Sequence, residues 1–168
     1  MKRRISIGPF VSIVLLAVAI VFSAAFYFLQ NKDLGQADPS RPRQSEADRE
    51  ISTVSINDVL IEVELAQTPD EKIQGLSGRN SLSANTGMLF VYDQPDFYLF
   101  WMKDMQFPID ILWIDKNYKI IDITKNLQPE SFPQTFAPSA PVQYVLEVNA
   151  GFADINGVRI KDDLDFKL

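Results

Sequence analysis

Residues 5–29, ISIGPFVSIVLLAVAIVFSAAFYFL, carry no charged side chain. A helix over these 25 residues spans roughly 37 Å at ~1.5 Å per residue, enough to cross a ~30 Å hydrocarbon core with some tilt. This run divides the chain, because a segment suited to lipid cannot share a core with a domain that folds in water. Pro9 falls in its first turns, where a helix tolerates proline best. Lys2, Arg3 and Arg4 precede the run, and only Lys32, beside Asp33, follows it closely. The positive-inside rule then sets the N-terminus in the cytoplasm and the remainder outside, as a single-pass membrane protein. The alternative expectation is secretion after signal cleavage, for which Ser23-Ala24-Ala25 supplies a small-residue site. The apolar run continues through Phe26-Tyr27-Phe28-Leu29, beyond the ~7–15 residues of a signal, so the uncleaved anchor is preferred.

Four segments follow: a basic tail (1–4), a transmembrane anchor (5–29), a flexible tether (30–51) and a folded domain (52–168). The tether, QNKDLGQADPSRPRQSEADREI, is polar and mixed in charge, and it cannot bury enough apolar surface to offset its ordering entropy. A coil of about 20 residues reaches on the order of 25 Å, which keeps the domain close to the bilayer, its first expected partner. The tether shows no apolar face to dock, so the soluble domain is expected to be monomeric.

Absences prune the chemistry. The 168 residues include no cysteine and no histidine. No disulfide framework, thiol nucleophile or thiolate metal site is available, and neither is a Ser-His-Asp triad or an imidazole ligand. No metal or cofactor is expected. Residues 52–168 hold 9 Lys/Arg and 17 Asp/Glu, a balance of −8, with no basic stripe to follow a nucleic acid.

The patterning of 52–168 is that of a β-rich domain. TVSINDVLIEVELA reads as two strands around Asn57-Asp58. TPDEKIQGL opens a helix with Thr68 as N-cap, Pro69 at its first position and Glu71 completing a capping box; Gly75 and Gly78 end it quickly. GMLFVY (87–92), FYLFWM (97–102), IDILWID (109–115), YKIIDIT (118–124), VQYVLEV (142–148) and VRI (158–160) read as strands, with FYLFWM in the sheet interior because both of its faces are apolar. Residues 125–141 carry four prolines and read as a surface loop, and NAGFADING as a short helix with Gly157 beyond its end. The expectation is a mainly β (β-rich α+β) domain, a mostly antiparallel sandwich or partly open barrel with two short helices.

Four blocks in order, TPDEKIQGLSGRNSL, GMLFVY, FWMKDMQFPIDILWIDKNYKI and YVLEVNAG…NGV, resemble the bacterial and archaeal family called domain of unknown function 192 (UPF0127-like) over about residues 54–166. The resemblance implies one compact β-rich domain, often exported or lipid-anchored, with no established activity or ligand. The family's usual Arg before Gly-Leu-Met is Gln74 here, its Met is Ser77, and its Lys-Asn-Thr is Lys103-Asp104-Met105.

Charges inside the greasiest soluble stretch, 97–115, mark the candidate site. Asp110 shares a strand face with Leu112 and Ile114, where an ionised carboxylate needs a partner. Lys103 or Arg79 could supply one, or the carboxylate could cap a loop or floor an aromatic pocket. Glu147 is a second strand carboxylate. It could accept from backbone amides or Arg79, or form an acid–base pair with Asp110. Arg79 offers a fork of donors for a carboxylate or phosphate. Trp101 and Trp113 are expected in the core rather than stacking on a ligand. Arg79, Trp101, Lys103, Asp104, Asp110, Glu147 and Asn149 are the ligand-binding candidates; Asp110 and Glu147 are the catalytic ones. DINGVRIKDDLD departs from EF-hand spacing, and SLSANTG lacks the lysine of a phosphate loop.

The leading expectation is an extracytoplasmic binding domain for a small molecule, peptide or envelope component. A cofactor-free carboxylate hydrolase or lyase, and an accessory subunit of an envelope complex, stand as alternatives. The topology has a direct test. Protease added to intact spheroplasts should remove the domain and leave a small membrane-embedded stub; resistance until the membrane is broken would count against an outside domain.

Overall fold

The computed structural model describes residues 50–166, with the Phe166 side chain left aside; the expected anchor and most of the tether lie outside these residues. Among the described residues no helix is long and apolar enough to cross a membrane.

Strands β1 (Ile51–Ile56) and β2 (Val59–Ala66) form a hairpin in which Ile56 faces Val59. Asn57 and Asp58 make its turn with φ of 50° and 65°, the left-handed pair that matches strand twist and that Asn and Asp tolerate best. Helix α1 (Pro69–Gln74) has the expected capping box: Thr68 Oγ1 accepts from Glu71 N at 3.3 Å, and Glu71 Oε2 accepts from Thr68 N at 2.8 Å. Gly75, at φ 50°, ends the helix against the Phe90 ring, which an added Cβ would meet at 3.3 Å. The chain then enters β3 (Thr86–Asp96), parallel to β2. Parallel neighbours need a crossover, and residues 67–85 with α1 supply it.

Strands β5 (Ile109–Ile114), β6 (Ile120–Leu127) and β8 (Val142–Asn149) complete most of one seven-stranded sheet, ordered β6-β5-β8-β3-β2-β1-β9, with β9 at Asp165–Phe166. Residues β4 (Phe100–Trp101) and β7 (Thr135–Phe136) pair separately. Helix α2 (Phe152–Ile155) follows β8. The sheet is open, neither a closed barrel nor two sheets of a sandwich. Its faces are covered by unlike pieces. On one face Leu112, Ile114, Leu146 and Val148 pack with Val54, Ile61, Val63, Phe152 and Leu164. On the other, Ile109, Ile111, Trp113 and Val145 pack with Leu76, Phe90, Phe100 and Met102. All six β5 residues are buried as a result, which accounts for the unbroken apolar run.

Two strand expectations are corrected. FYLFWM is not an interior strand: only Phe100 and Trp101 pair, and the segment crosses the second face with Phe100 and Met102 turned in and Leu99 and Trp101 turned out. Its apolar pattern on both faces reflects a covering segment with a greasy outer rim. VRI forms no strand. Instead Lys161 N and Leu164 N donate to Ile120 O and Tyr118 O, both at 2.8 Å, tying the chain end across to β6 before β9 joins β1.

Asp110 is fully buried and answers two backbone groups. Its Oδ1 accepts from Asn126 N at 2.8 Å and its Oδ2 from Ala153 N at 3.0 Å. Asn126 sits at φ 54° where the β5–β6 register shifts, and Ala153 lies in the first turn of α2, whose amides have no partner within the helix. One carboxylate thus holds a bulge and a helix start to the same strand. Asp110→Ala would strand both amides at ~1–3 kcal/mol each, so denaturant unfolding should show a loss of about 3 kcal/mol or more. The exposed Lys103→Ala should cost under ~1 kcal/mol in the same assay. Comparable losses from both would refute this account of Asp110.

Candidate functional site

The register sets four side chains in a row. Glu64 of β2 faces Met88 of β3, Met88 faces Glu147 of β8, and Glu147 faces Ile111 of β5. At ~4.8 Å per strand, the Glu64 and Glu147 backbones stand roughly 10 Å apart on one face of the sheet. Arg79, in the turn after α1, forks onto Glu64 with Nη1–Oε1 and Nη2–Oε2 distances of 2.5 and 2.6 Å. Paired donors on a carboxylate are among the stronger polar contacts, and this one is half-buried.

Glu147 has no such partner. It is 5% exposed and accepts no hydrogen bond among the described residues. Burial pushes its carboxyl up to about 8, while the nearby Arg79 charge pulls it down. Glu147 lines a pocket of about 60 Å³, partly open to solvent, beneath α1 and the 97–105 segment. Lys72, Tyr92, Leu99, Phe100, Trp101 and Met105 stand around it. Aromatic rings line and support it: Phe90 meets Phe100 edge-on at 4.8 Å, and behind them Phe100 meets the buried Trp113 edge-on at 5.4 Å, the geometry ring quadrupoles favour. Tyr92 stacks on Tyr98, and Lys72 Nζ lies 4.6 Å from the Tyr92 ring centre. Burial, and then Tyr98 and Glu147, raise the Tyr92 hydroxyl above its ordinary value.

Of the sequence candidates, Trp101 and Glu147 line the pocket and Arg79 stands behind it. Trp101, expected in the core, is 50% exposed; Trp113 is buried and donates from Nε1 to Thr124 Oγ1 at 2.8 Å. Lys103 and Asp104 act through their backbones. Ser77 Oγ donates to Lys103 O and Gly78 N to Asp104 O, both at 2.8 Å, which pins the 102–105 turn to the turn after α1. Their side chains are exposed, so the buried ion pair of Lys103 with Asp110 is not formed. Asn149 Nδ2 donates to Leu82 O and Ser83 O at 3.1 and 3.0 Å, anchoring the crossover loop. Asp110 faces Val148, one residue along from the Ile111–Glu147 pair, and therefore lies on the opposite face of the sheet from Glu147. The guanidinium fork of Arg79 goes to Glu64. Only the crossover that brings residue 79 back over β2 reveals the role of Glu64. Lys72, Tyr92 and Leu99 carried no separate signal. Gln74, Ser77 and Met105, where the chain departs from the pattern it resembles, all line the pocket.

A family model described as "Uncharacterized ACR, COG1430" (DUF192) matches residues 52–166. The chain belongs to this family. Among curated proteins, none matches. A crystal structure of a candidate transcription regulator from Sinorhizobium meliloti 1021 is similar at 32% identity and a TM-score of 0.67, covering 70% of this chain and 95% of that one. A protein of unknown function from Novosphingobium aromaticivorans DSM 12444 is similar at 25% identity, also with a TM-score of 0.67, covering 78% and 99%.

The raised Glu147 carboxyl has a consequence for stability. Between its unfolded value near ~4.3 and about 8, the folded state holds a proton that the unfolded state has released. Stability therefore falls as pH rises through that window and levels off above it. Glu147→Gln, which cannot ionise, should flatten this fall in denaturant titrations at several pH values. An unchanged slope in the variant would assign the fall to other groups.

Proposed function

We propose that this chain is a membrane-anchored binding domain, held outside the cytoplasm, which takes a small ligand in the pocket over Glu147. The observation that carries the reading is a buried carboxylate without a hydrogen-bond partner among the described residues, facing a pocket walled by aromatic rings. Buried polar groups are ordinarily satisfied, and one left open at the base of a pocket is a place for a ligand donor. The uncharged run at 5–29 and the basic residues before it support the anchor and its orientation.

Catalysis by an Asp110–Glu147 pair does not fit, because the sheet stands between the two and both Asp110 oxygens are taken by backbone amides. The acidic balance of residues 52–168, 9 Lys/Arg against 17 Asp/Glu, offers no match for nucleic acid. A second reading, docking of an envelope protein, draws on the exposed rim of Ile73 (75%), Leu99 (67%) and Trp101 (50%) around the same mouth, since clustered apolar surface marks interaction sites.

A fragment screen followed by indole N–H resonances discriminates these readings. True ligands should shift the Trp101 signal, and Trp101→Ala should weaken them by about tenfold or more, the scale of a lost aromatic contact, while leaving the unfolding transition cooperative. Hits that ignore Trp101, or no hits at all, would count against a small-molecule pocket.

A further inference from the structure

The pocket over Glu147 presents an acceptor, apolar walls and a cation already resting on one of its rings. We propose that it binds a primary ammonium group on a short apolar stem, with Glu147 as the carboxylate partner and Ile73, Leu99 and Trp101 around the stem; this inference rests on the pocket reading above.

The charges nearest Glu147 decide the sign of the ligand. Arg79, in the turn behind it, is forked onto Glu64 of β2 at 2.5 and 2.6 Å, so its donors are engaged there while its charge still acts on the Glu147 carboxyl. Lys72 of α1 sits 4.6 Å from the Tyr92 ring centre, and Tyr92 of β3 keeps its proton well above neutrality. From β5 the facing residue is Ile111, which is apolar. An incoming carboxylate or phosphate would therefore meet the Glu147 carboxyl at the floor. A neutral hydroxyl would satisfy one hydrogen bond and leave the carboxyl protonated. An ammonium offers three donors and a charge that an ionised Glu147 can neutralise, in a site where burial strengthens the attraction. Aromatic faces at the mouth favour the same sign, as the resting place of Lys72 illustrates. The field of residues 52–168, with 9 basic against 17 acidic residues, draws cations toward it.

Ionising Glu147 releases its proton, so ammonium binding is linked to pH. Below about 8, where burial sets the carboxyl, affinity should rise by up to about tenfold per pH unit. The test titrates the full-length chain with butylammonium, 1-butanol and butyrate, following the Trp101 indole signal, which Trp101→Phe distinguishes from that of Trp113. Butylammonium is expected to bind about tenfold or more tighter than butanol, butyrate not to bind, and the ammonium affinity to climb from about pH 6 to about pH 8. Glu147→Gln should abolish both the preference and the climb while butanol binding is kept. If butanol matches butylammonium, or Glu147→Gln retains the preference, the ammonium inference is overturned and the pocket reading survives. If no probe moves the Trp101 signal, both are overturned. Should Glu147→Gln fail to fold, the native chain decides: an ammonium affinity flat between about pH 6 and 8 overturns the inference.

Discussion

Strands β5 and β8 lie side by side in the sheet with packed side chains on both faces, and that double burial governs every polar group they carry. Two carboxylates sit there at nearly the same depth, and each meets a different supply of donors. Asp110 points to the face where α2 begins and the β5–β6 ladder bulges, two places that leave backbone amides free to donate. Glu147, opposite Ile111, points to the other face, where the nearby Arg79 is engaged by Glu64. The first carboxylate is consumed by the architecture. The second remains open, and the domain tolerates it by raising its proton affinity rather than by pairing it.

The pocket follows from how the second face is covered. A full second sheet would have sealed it. Instead a helix of six residues, a turn pinned by Ser77 and Gly78, and a two-residue strand pair lie over the rings of Phe90, Phe100 and Trp113. These pieces are short because glycines end α1 and Pro108 breaks the run before β5. Short pieces leave gaps between them, and the gap over Glu147 is the pocket. The same economy leaves Leu99 and Trp101 on the outside: they alternate with Phe100 and Met102, which are needed beneath.

Local chemistry made much of this legible. The Asn57-Asp58 turn, the capping box of Thr68 and Glu71, the stop at Gly75 and the short helix before Gly157 each depend on neighbours a few residues apart, so sequence alone specified them. The need to satisfy Asp110 was legible too, because alternation placed it among Leu112 and Ile114. Its partners were not, since Asn126 and Ala153 contribute backbone amides and any residue type carries one. FYLFWM misled for a related reason. Apolar residues on both faces of a segment signify an interior strand or a covering segment with a greasy rim, and alternation alone does not separate the two.

The sequence by itself determined the division into an uncharged run, a polar stretch and a β-rich domain, the chemistry unavailable without cysteine and histidine, and the local turns and caps. These depend on composition and on contacts close along the chain. Only the tertiary structure decided which face each carboxylate occupies, that Arg79 belongs to Glu64, and that Trp101 stands at a pocket mouth. Those outcomes depend on strand order, on one parallel crossover and on register. A shift of one residue in register turns every side chain to the other face, and nothing local to Glu147 records which strands will lie beside it.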